Sequence, residues 1–221
     1  MVEAVVFDLD GTLLDTLDDI LDGVNHVFQQ EGLPPESRDE VRLAVGRGVE
    51  HLVRKLLPQR SGDEEYVERL SGMIRETYSE KGPVKTRPYP GIPRLIRKLT
   101  GQGIPLAVLT NKPHPSALKS VEMHFGEECF SVVSGAGEGR PMKPSPGSAE
   151  QVLNKLGVPP GRIFMVGDSD VDMDTAITSG MVPVGVSWGY RDTNLLLHHG
   201  AEHIATEPYE ILKMIELENE V

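Results

Sequence analysis

Asp8 and Asp10 end a short apolar run, Val5-Val6-Phe7, with one residue between them and Gly11 directly after. Three β-formers in succession suit a strand covered on both faces of a parallel sheet, so the run predicts a strand that delivers Asp8 at its carboxyl end. Residues two apart on an extended segment share a face, and both carboxylates can therefore address one pocket while Leu9 packs the other way. Gly11 lets the backbone turn away at once. The competing reading makes Asp10-Gly11 a turn dipeptide and Asp8 a cap or a solvated charge.

Other polar residues follow apolar runs in the same manner. Leu106-Ala107-Val108-Leu109 ends in Thr110-Asn111-Lys112, and Ile163-Phe164-Met165-Val166 ends in Gly167-Asp168-Ser169. Ser131-Val132-Val133-Ser134 precedes a loop, Gly135 to Lys143, that leads to Lys143-Pro144. Val182 to Val186 and Ala201 to Ala205 predict two further strands, and helical spacing fills the intervals at Ile92 to Leu99, Ser116 to Phe125, Gly147 to Leu156, Asp170 to Ser179 and Tyr209 to Leu217. This βα alternation predicts an α/β fold with a doubly wound parallel, Rossmann-like sheet, in which ligands bind beyond the carboxyl ends of the strands. Asp8, Thr110, Lys143 and Asp168 would then converge from distant parts of the chain.

Between the first and second of these strands the pattern is different. Leu17, Ile20, Leu21, Val24, Val27 and Phe28 fall at helical spacing behind Asp15 or Thr16 as a cap. Helices are also expected from Ser37 to Ala44, from Val49 to Leu56 and from Asp63 to Glu80, and the Pro/Gly-rich stretch Lys81 to Gly91 reads as the return linker. Helices in series without a strand predict an inserted α-helical bundle, residues 16–87, on a core formed by residues 1–15 and 88–221.

Composition narrows the classes of function. The 221 residues carry a formal net charge of -12 and are 38% hydrophobic, as expected of a globular chain. That charge argues against nucleic acid or an anionic membrane surface as partner, and an anionic substrate would need local positive charge. One cysteine, Cys129, forms no intramolecular disulfide and no thiolate cluster, which favours a reducing, cytoplasmic setting. No secretory signal or membrane span of about 18 apolar residues is expected. The seven histidines show no ligand spacing.

Asp8-Leu9-Asp10-Gly11-Thr12, Leu109-Thr110-Asn111, Lys143-Pro144 and Gly167-Asp168-Ser169-Asp170-Val171-Asp172 resemble, in order, the four motifs of the haloacid dehalogenase-like superfamily of hydrolases. The resemblance covers the whole chain. Tyr89-Pro90-Gly91, Ala107 to Pro113 and Gly185 to Tyr190 are similar to segments of phosphoglycolate phosphatases within it. The chain departs from the common pattern at Arg140-Pro141-Met142 and at Val171.

The resemblance implies a phosphatase that forms an aspartyl-phosphate. Asp8 would be the nucleophile, Asp10 the acid and base, and Lys143 a catalytic and phosphate-binding cation. Thr110 and the Asn111 backbone N–H would hold phosphoryl oxygens. The metal would lie on the Asp8 carboxylate, the Asp10 carbonyl and Asp168, with Asp172 supporting them from outside; alternatively Asp172 serves only the helix dipole. Physical chemistry points the same way, since carboxylates a few ångströms apart repel by roughly 4 kcal/mol at an effective dielectric of about 20. Four of them call for a dication, and all-oxygen ligands favour Mg²⁺.

The helical insert occupies the position of the family's cap. In Gly46-Arg47-Gly48 two glycines present one cation, and Arg47 is a candidate for a substrate carboxylate, or else an ordinary surface arginine. The expected partner is a small anionic phosphate ester, 2-phosphoglycolate first, acted on by a monomer or homodimer. Pyrophosphatase, other small-metabolite phosphatase and sugar phosphomutase activities share the core. A dehalogenase has no need of Asp10, and a phospho-receiver module needs neither a large cap nor an adjacent acid.

Overall fold

The residues of strand β1, Ala4–Phe7, are all buried, as a strand covered on both faces requires. The structure, a computed structural model, describes residues 1–137 and 139–220; Glu138, in the loop leading to Lys143, and Val221 lie outside the described residues. After β1 come β2 (Leu14–Asp15) and the helices α1 (Leu17–Gln30), α2 (Arg38–Ala44), α3 (Val49–Leu56) and α4 (Glu64–Lys81). Strand β3 (Arg87–Pro88) returns the chain to α5 (Ile92–Gly101), β4 (Leu106–Pro113), α6 (His114–Phe125), β5 (Val132–Ala136) and α7 (Glu150–Leu156). Then follow β6 (Ile163–Gly167), α8 (Asp170–Ser179), β7 (Val182–Val186), α9 (Thr193–His198), β8 (His203–Ala205) and α10 (Pro208–Glu220).

Six strands form one parallel sheet in the order β5-β4-β1-β6-β7-β8. The chain builds outward from β1 in one direction through β4 and β5, then in the other through β6, β7 and β8. The reversal lies between β1 and β6, and at such a point the loops beyond the strand ends separate and leave a crevice. Val5 and Phe7 pack on one face of the sheet with Leu95, Leu99 and Ile211, whereas Ala4 and Val6 pack on the other with Val152 and Ala176. Alternate residues of β1 thus enter two separate cores, which is why the strand reads as a continuous apolar run.

Helices α1 to α4 bury Leu17, Val24, Phe28, Val41, Leu52, Val53 and Leu70 in a third cluster, joined by Tyr190 from the sheet domain. The insert is stapled at its base by antiparallel pairing of β2 with β3, Leu14 opposite Pro88 and Asp15 opposite Arg87. Two-residue strands have no periodicity to read, so this ribbon had no sequence signature. Nor did the six-residue helix α9. Of the two caps expected at the start of α1, Asp15 accepts from the Leu17 N–H through Oδ1 at 3.3 Å, and Thr16 is the one that differs. Thr16 is the N-cap residue but makes no side-chain cap; its hydroxyl and its backbone N–H both meet the Tyr190 hydroxyl at 3.0 Å. A buried tertiary partner replaces the local one. Among the described residues no helix is long and apolar enough to cross a membrane.

Candidate active site at the carboxyl end of the sheet

Asp8 lies one residue beyond β1 and Asp168 one residue beyond β6, so parallel pairing of these strands brings the two carboxylates side by side. Asp172 joins them from the first turn of α8. Oxygens of Asp8, Asp168 and Asp172 lie within 4.8 Å of one another, and all three residues are buried. Lys143 reaches in from the loop beyond β5, its Nζ 2.8 Å from Asp8 Oδ1 and 2.6 Å from Asp172 Oδ1. One ammonium thus holds two of the three carboxylates.

The surroundings leave this group little freedom. Ser169 and Asp172 form a reciprocal capping box at the start of α8, in which Asp172 Oδ2 accepts from the Ser169 N–H at 3.0 Å and from its hydroxyl at 2.6 Å. With Lys143 on its other oxygen, Asp172 has both oxygens engaged. Asp168 accepts from the Thr12 hydroxyl at 3.2 Å and from the Tyr190 N–H at 2.6 Å. Trp188 donates from Nε1 to the Thr12 carbonyl at 3.0 Å, tying the loop after β7 to the loop after β1. A Cβ at Gly11 or Gly189 would overlap the Asp168 carboxylate, and one at Gly167 would overlap Asp172. These glycines are needed for close approach.

Burial pushes the Asp8 carboxyl up to about 7; the charges of Asp172 and Asp10 add to the rise, and Lys143 opposes it. Burial likewise pushes Asp168 up to about 8, helped by Asp172 and Asp8 and opposed by the Tyr190 N–H. For Lys143 burial alone disfavours the charge, but Asp172 and Asp8 outweigh it and raise the ammonium above its ordinary value. Buried oxygen donors whose charge is disfavoured first by burial and then by their neighbours fit a hard dication, which would supply the missing positive charge.

Asp10 lines the same cavity as Asp8, but its carboxylate does not join the acidic trio. The expectation of four gathered carboxylates is corrected to three. The reason is Lys112, whose buried Nζ lies 2.9 and 3.2 Å from the two Asp10 oxygens. Lys112 Nζ also lies 3.0 Å from the Tyr78 hydroxyl and 4.3 Å from the centroid of its ring, and Tyr78 belongs to α4 of the insert. The sequence places Lys112 after the second apolar run without giving it a role, and it does not point to Tyr78. Lys112 stands in the strand that carries Thr110 and Asn111, which was the available signal; Tyr78 had none.

Thr110 and Asn111 are both buried, line the same cavity as Asp8 and lie in the second half of β4, which runs on to Pro113. The Asn111 side chain has a role that the sequence did not suggest, since its Nδ2 donates at 3.0 Å to the carbonyls of both Gly46 and Lys143. Of the two readings open for Arg47, its position is that of a partly exposed arginine in an ion pair. Its guanidinium pairs with Asp170 at 2.5 Å, and it does not line the cavity over Asp8 and Asp10, although Gly46 and Gly48 do. The acidic first turn of α8 captures it. Arg191 donates to the carbonyls of Arg42 and Val45 at 2.6 Å, so the loop that shapes Asp168 also anchors α2.

Residues 5–186 match the family model described as haloacid dehalogenase-like hydrolase. The chain is 34% identical over 193 residues to a phosphoglycolate phosphatase of Mesorhizobium japonicum, covering 86% of this chain and 85% of that one. It is 35% identical over 198 residues to a phosphoglycolate phosphatase of Neisseria meningitidis, covering 88% and 84%. The solved structure of a predicted phosphoglycolate phosphatase from Haemophilus somnus is similar with a TM-score of 0.87 at 26% identity, over 96% of this chain and 97% of its own. The matched span runs from β1 to the end of β7 and includes every residue of the acidic trio, and the chain belongs to the haloacid dehalogenase-like hydrolase family, as a phosphoric monoester hydrolase.

Proposed function

We propose that this phosphatase hydrolyses a small phosphate monoester, 2-phosphoglycolate first, through an aspartyl-phosphate formed on Asp8. The observation that carries the reading is Lys143 Nζ held between Asp8 and Asp172 at 2.8 and 2.6 Å, beside a second buried carboxylate, Asp168. The Asp8 carboxylate, the Asp10 backbone carbonyl and Asp168 would hold Mg²⁺, with Asp172 behind them, and the bound ion supplies positive charge against which phosphoryl oxygens can be placed.

Asp8 attacks phosphorus; a bond forms from its carboxylate oxygen as the bond to the ester oxygen breaks. Lys143 keeps that carboxylate aligned and offsets its repulsion from the phosphoryl group. The Thr110 hydroxyl and the Asn111 N–H receive non-bridging oxygens. Asp10 gives a proton to the departing alkoxide, then takes one from the water that hydrolyses the intermediate. Residues 16–87 act as the cap that limits the size of the leaving group and excludes water. The similarity to phosphoglycolate phosphatases supports the choice of substrate.

The test is phosphate release from 2-phosphoglycolate, sugar phosphates, nucleotides and pyrophosphate, with and without a chelator. Asp8→Asn should lose about 10⁴-fold or more in kcat and fail to trap a phosphoenzyme in acid quench. Full activity in chelator, or retained by Asp8→Asn, would overturn the mechanism; preference for another ester would overturn the substrate.

A further inference from the structure

The cavity between the insert and the sheet has a volume of about 90 Å³, room for roughly six to nine water-sized groups. The insert lines it with Ile20, Val45, Val49 and Leu52, while the sheet domain contributes Asp8, Asp10, Thr110 and Lys112. Two cations border it, and they differ in what already neutralises them. Arg75 is paired with two carboxylates, Glu50 and Glu68, and its side chain is 32% exposed. Lys112 has one carboxylate partner, Asp10, and is 4% exposed. Its other partner, the Tyr78 phenol, contributes no countercharge at neutral pH.

We propose that Lys112, held from the insert by Tyr78, is the specificity-determining cation that receives a carboxylate carried by the leaving half of the substrate. This rests on the reading of Asp8 and Asp10 given under Proposed function. If Asp8 takes the phosphoryl group and Asp10 serves the bridging oxygen, a substituent one or two bonds beyond that oxygen comes against Lys112. Its Nζ stands within 3.2 Å of both Asp10 oxygens. A carboxylate there shares the ammonium with Asp10 and meets it in a small, largely apolar space, where an exposed cation's screening by water is absent. An ester lacking the carboxylate leaves that exchange unmade. Arg47, captured by Asp170, is not placed to make it.

The experiment compares kcat/KM for 2-phosphoglycolate with that for ethyl phosphate, in which a methyl group replaces the carboxylate. For a hydrogen-bonded charge pair worth about 1.5–3 kcal/mol, the wild-type ratio should be roughly 10–150. Lys112→Met will slow both esters through Asp10, but the ratio should collapse toward one, mainly through KM for 2-phosphoglycolate. Lys112→Arg should recover part of it. Tyr78→Phe keeps the ring and the fold and should lower the ratio by a smaller factor, about three- to tenfold. A large wild-type ratio that survives Lys112→Met, or that collapses in Arg75→Met instead, overturns this inference alone. A wild-type ratio near one overturns the substrate choice and this inference together.

Discussion

The side chain of Asn111 spans both backbone groups of Lys143: Oδ1 accepts from the Lys143 N–H at 2.8 Å, and Nδ2 donates to the Lys143 carbonyl at 3.0 Å. An amide bonded in this way to a single residue acts as a backbone clamp. It fixes where the lysine leaves its loop, and therefore where Nζ arrives between Asp8 and Asp172. Asn111→Ala should lower kcat by about 10²-fold, the cost of a misplacement of about 1 Å in a catalytic group. Asn111→Asp keeps the shape but sets oxygen against a carbonyl, and should do no better. Steady-state kinetics with a thermal melt to show retained folding is the check; wild-type kcat in Asn111→Ala would disprove the clamp.

Metal removal should expose the repulsion among the carboxylates. Asp8 and Asp168 go up from the ordinary 3.8 to about 7 and about 8 in the folded protein. The native state therefore binds more protons than the unfolded state between those values, and this contribution to stability falls as pH rises through the window. In chelator, thermal stability should decline between about pH 5 and 8. Mg²⁺ at about 100 times its dissociation constant should restore about 2.7 kcal/mol. Asp168→Asn should flatten the decline. Calorimetry across pH, with and without Mg²⁺, decides it, and a flat profile in the parent protein would count against the assignment.

Gly189 is a steric requirement of the acidic site. A Cβ there would overlap the Asp168 carboxylate, and nothing flexible can give way because Asp168 is held by Thr12 and the Tyr190 N–H. Gly189→Ala should cost about 1–3 kcal/mol in stability through overpacking. It should also weaken Mg²⁺ binding by about 10–100-fold, as loss of outer support does at metal sites. Isothermal titration with Mg²⁺ separates this from a purely structural loss, which would leave affinity intact in the folded fraction.

Asp19 in α1 anchors the returning chain, with the Lys85 N–H at 2.9 Å, the Thr86 N–H at 2.7 Å and the Thr86 hydroxyl at 2.6 Å from Oδ2. Burial alone would push its carboxyl up, but these three bonds together hold it below the ordinary 3.8. Its contribution is therefore present above the unfolded value and lost as pH falls through the folded one. Asp19→Ala should cost about 1.5–3 kcal/mol at pH 7, the range for hydrogen bonds to a charged group. The gap between variant and parent should narrow below pH 3.8. Urea unfolding at the two pH values measures it.

The fold was largely legible because local rules and tertiary structure agree along the core. Apolar runs such as Val5-Val6-Phe7 and Ile163 to Val166 have few alternatives to a buried parallel strand, and all six sheet strands stand where those runs predict them. Residues one position beyond a strand must lie at its mouth, so Asp8 and Asp168 could be placed together before the sheet order was known. The features missed are those whose partners lie far along the chain. The β2–β3 ribbon joins residues with the whole insert between them, and Thr16 exchanges a local cap for Tyr190.

Spacing along the chain was enough to assemble the inventory of Asp8, Asp10, Thr110, Lys143, Asp168 and Asp172, each near the end of an element that the topology brings to one edge. How these residues divide depends on their packing in space. Asp10 stands apart from the acidic trio because Lys112 holds it, and Arg47 stands apart from the cavity because Asp170 holds it. Charged side chains choose partners by distance in space at a scale of a few ångströms, and spacing along the chain does not encode that distance between elements.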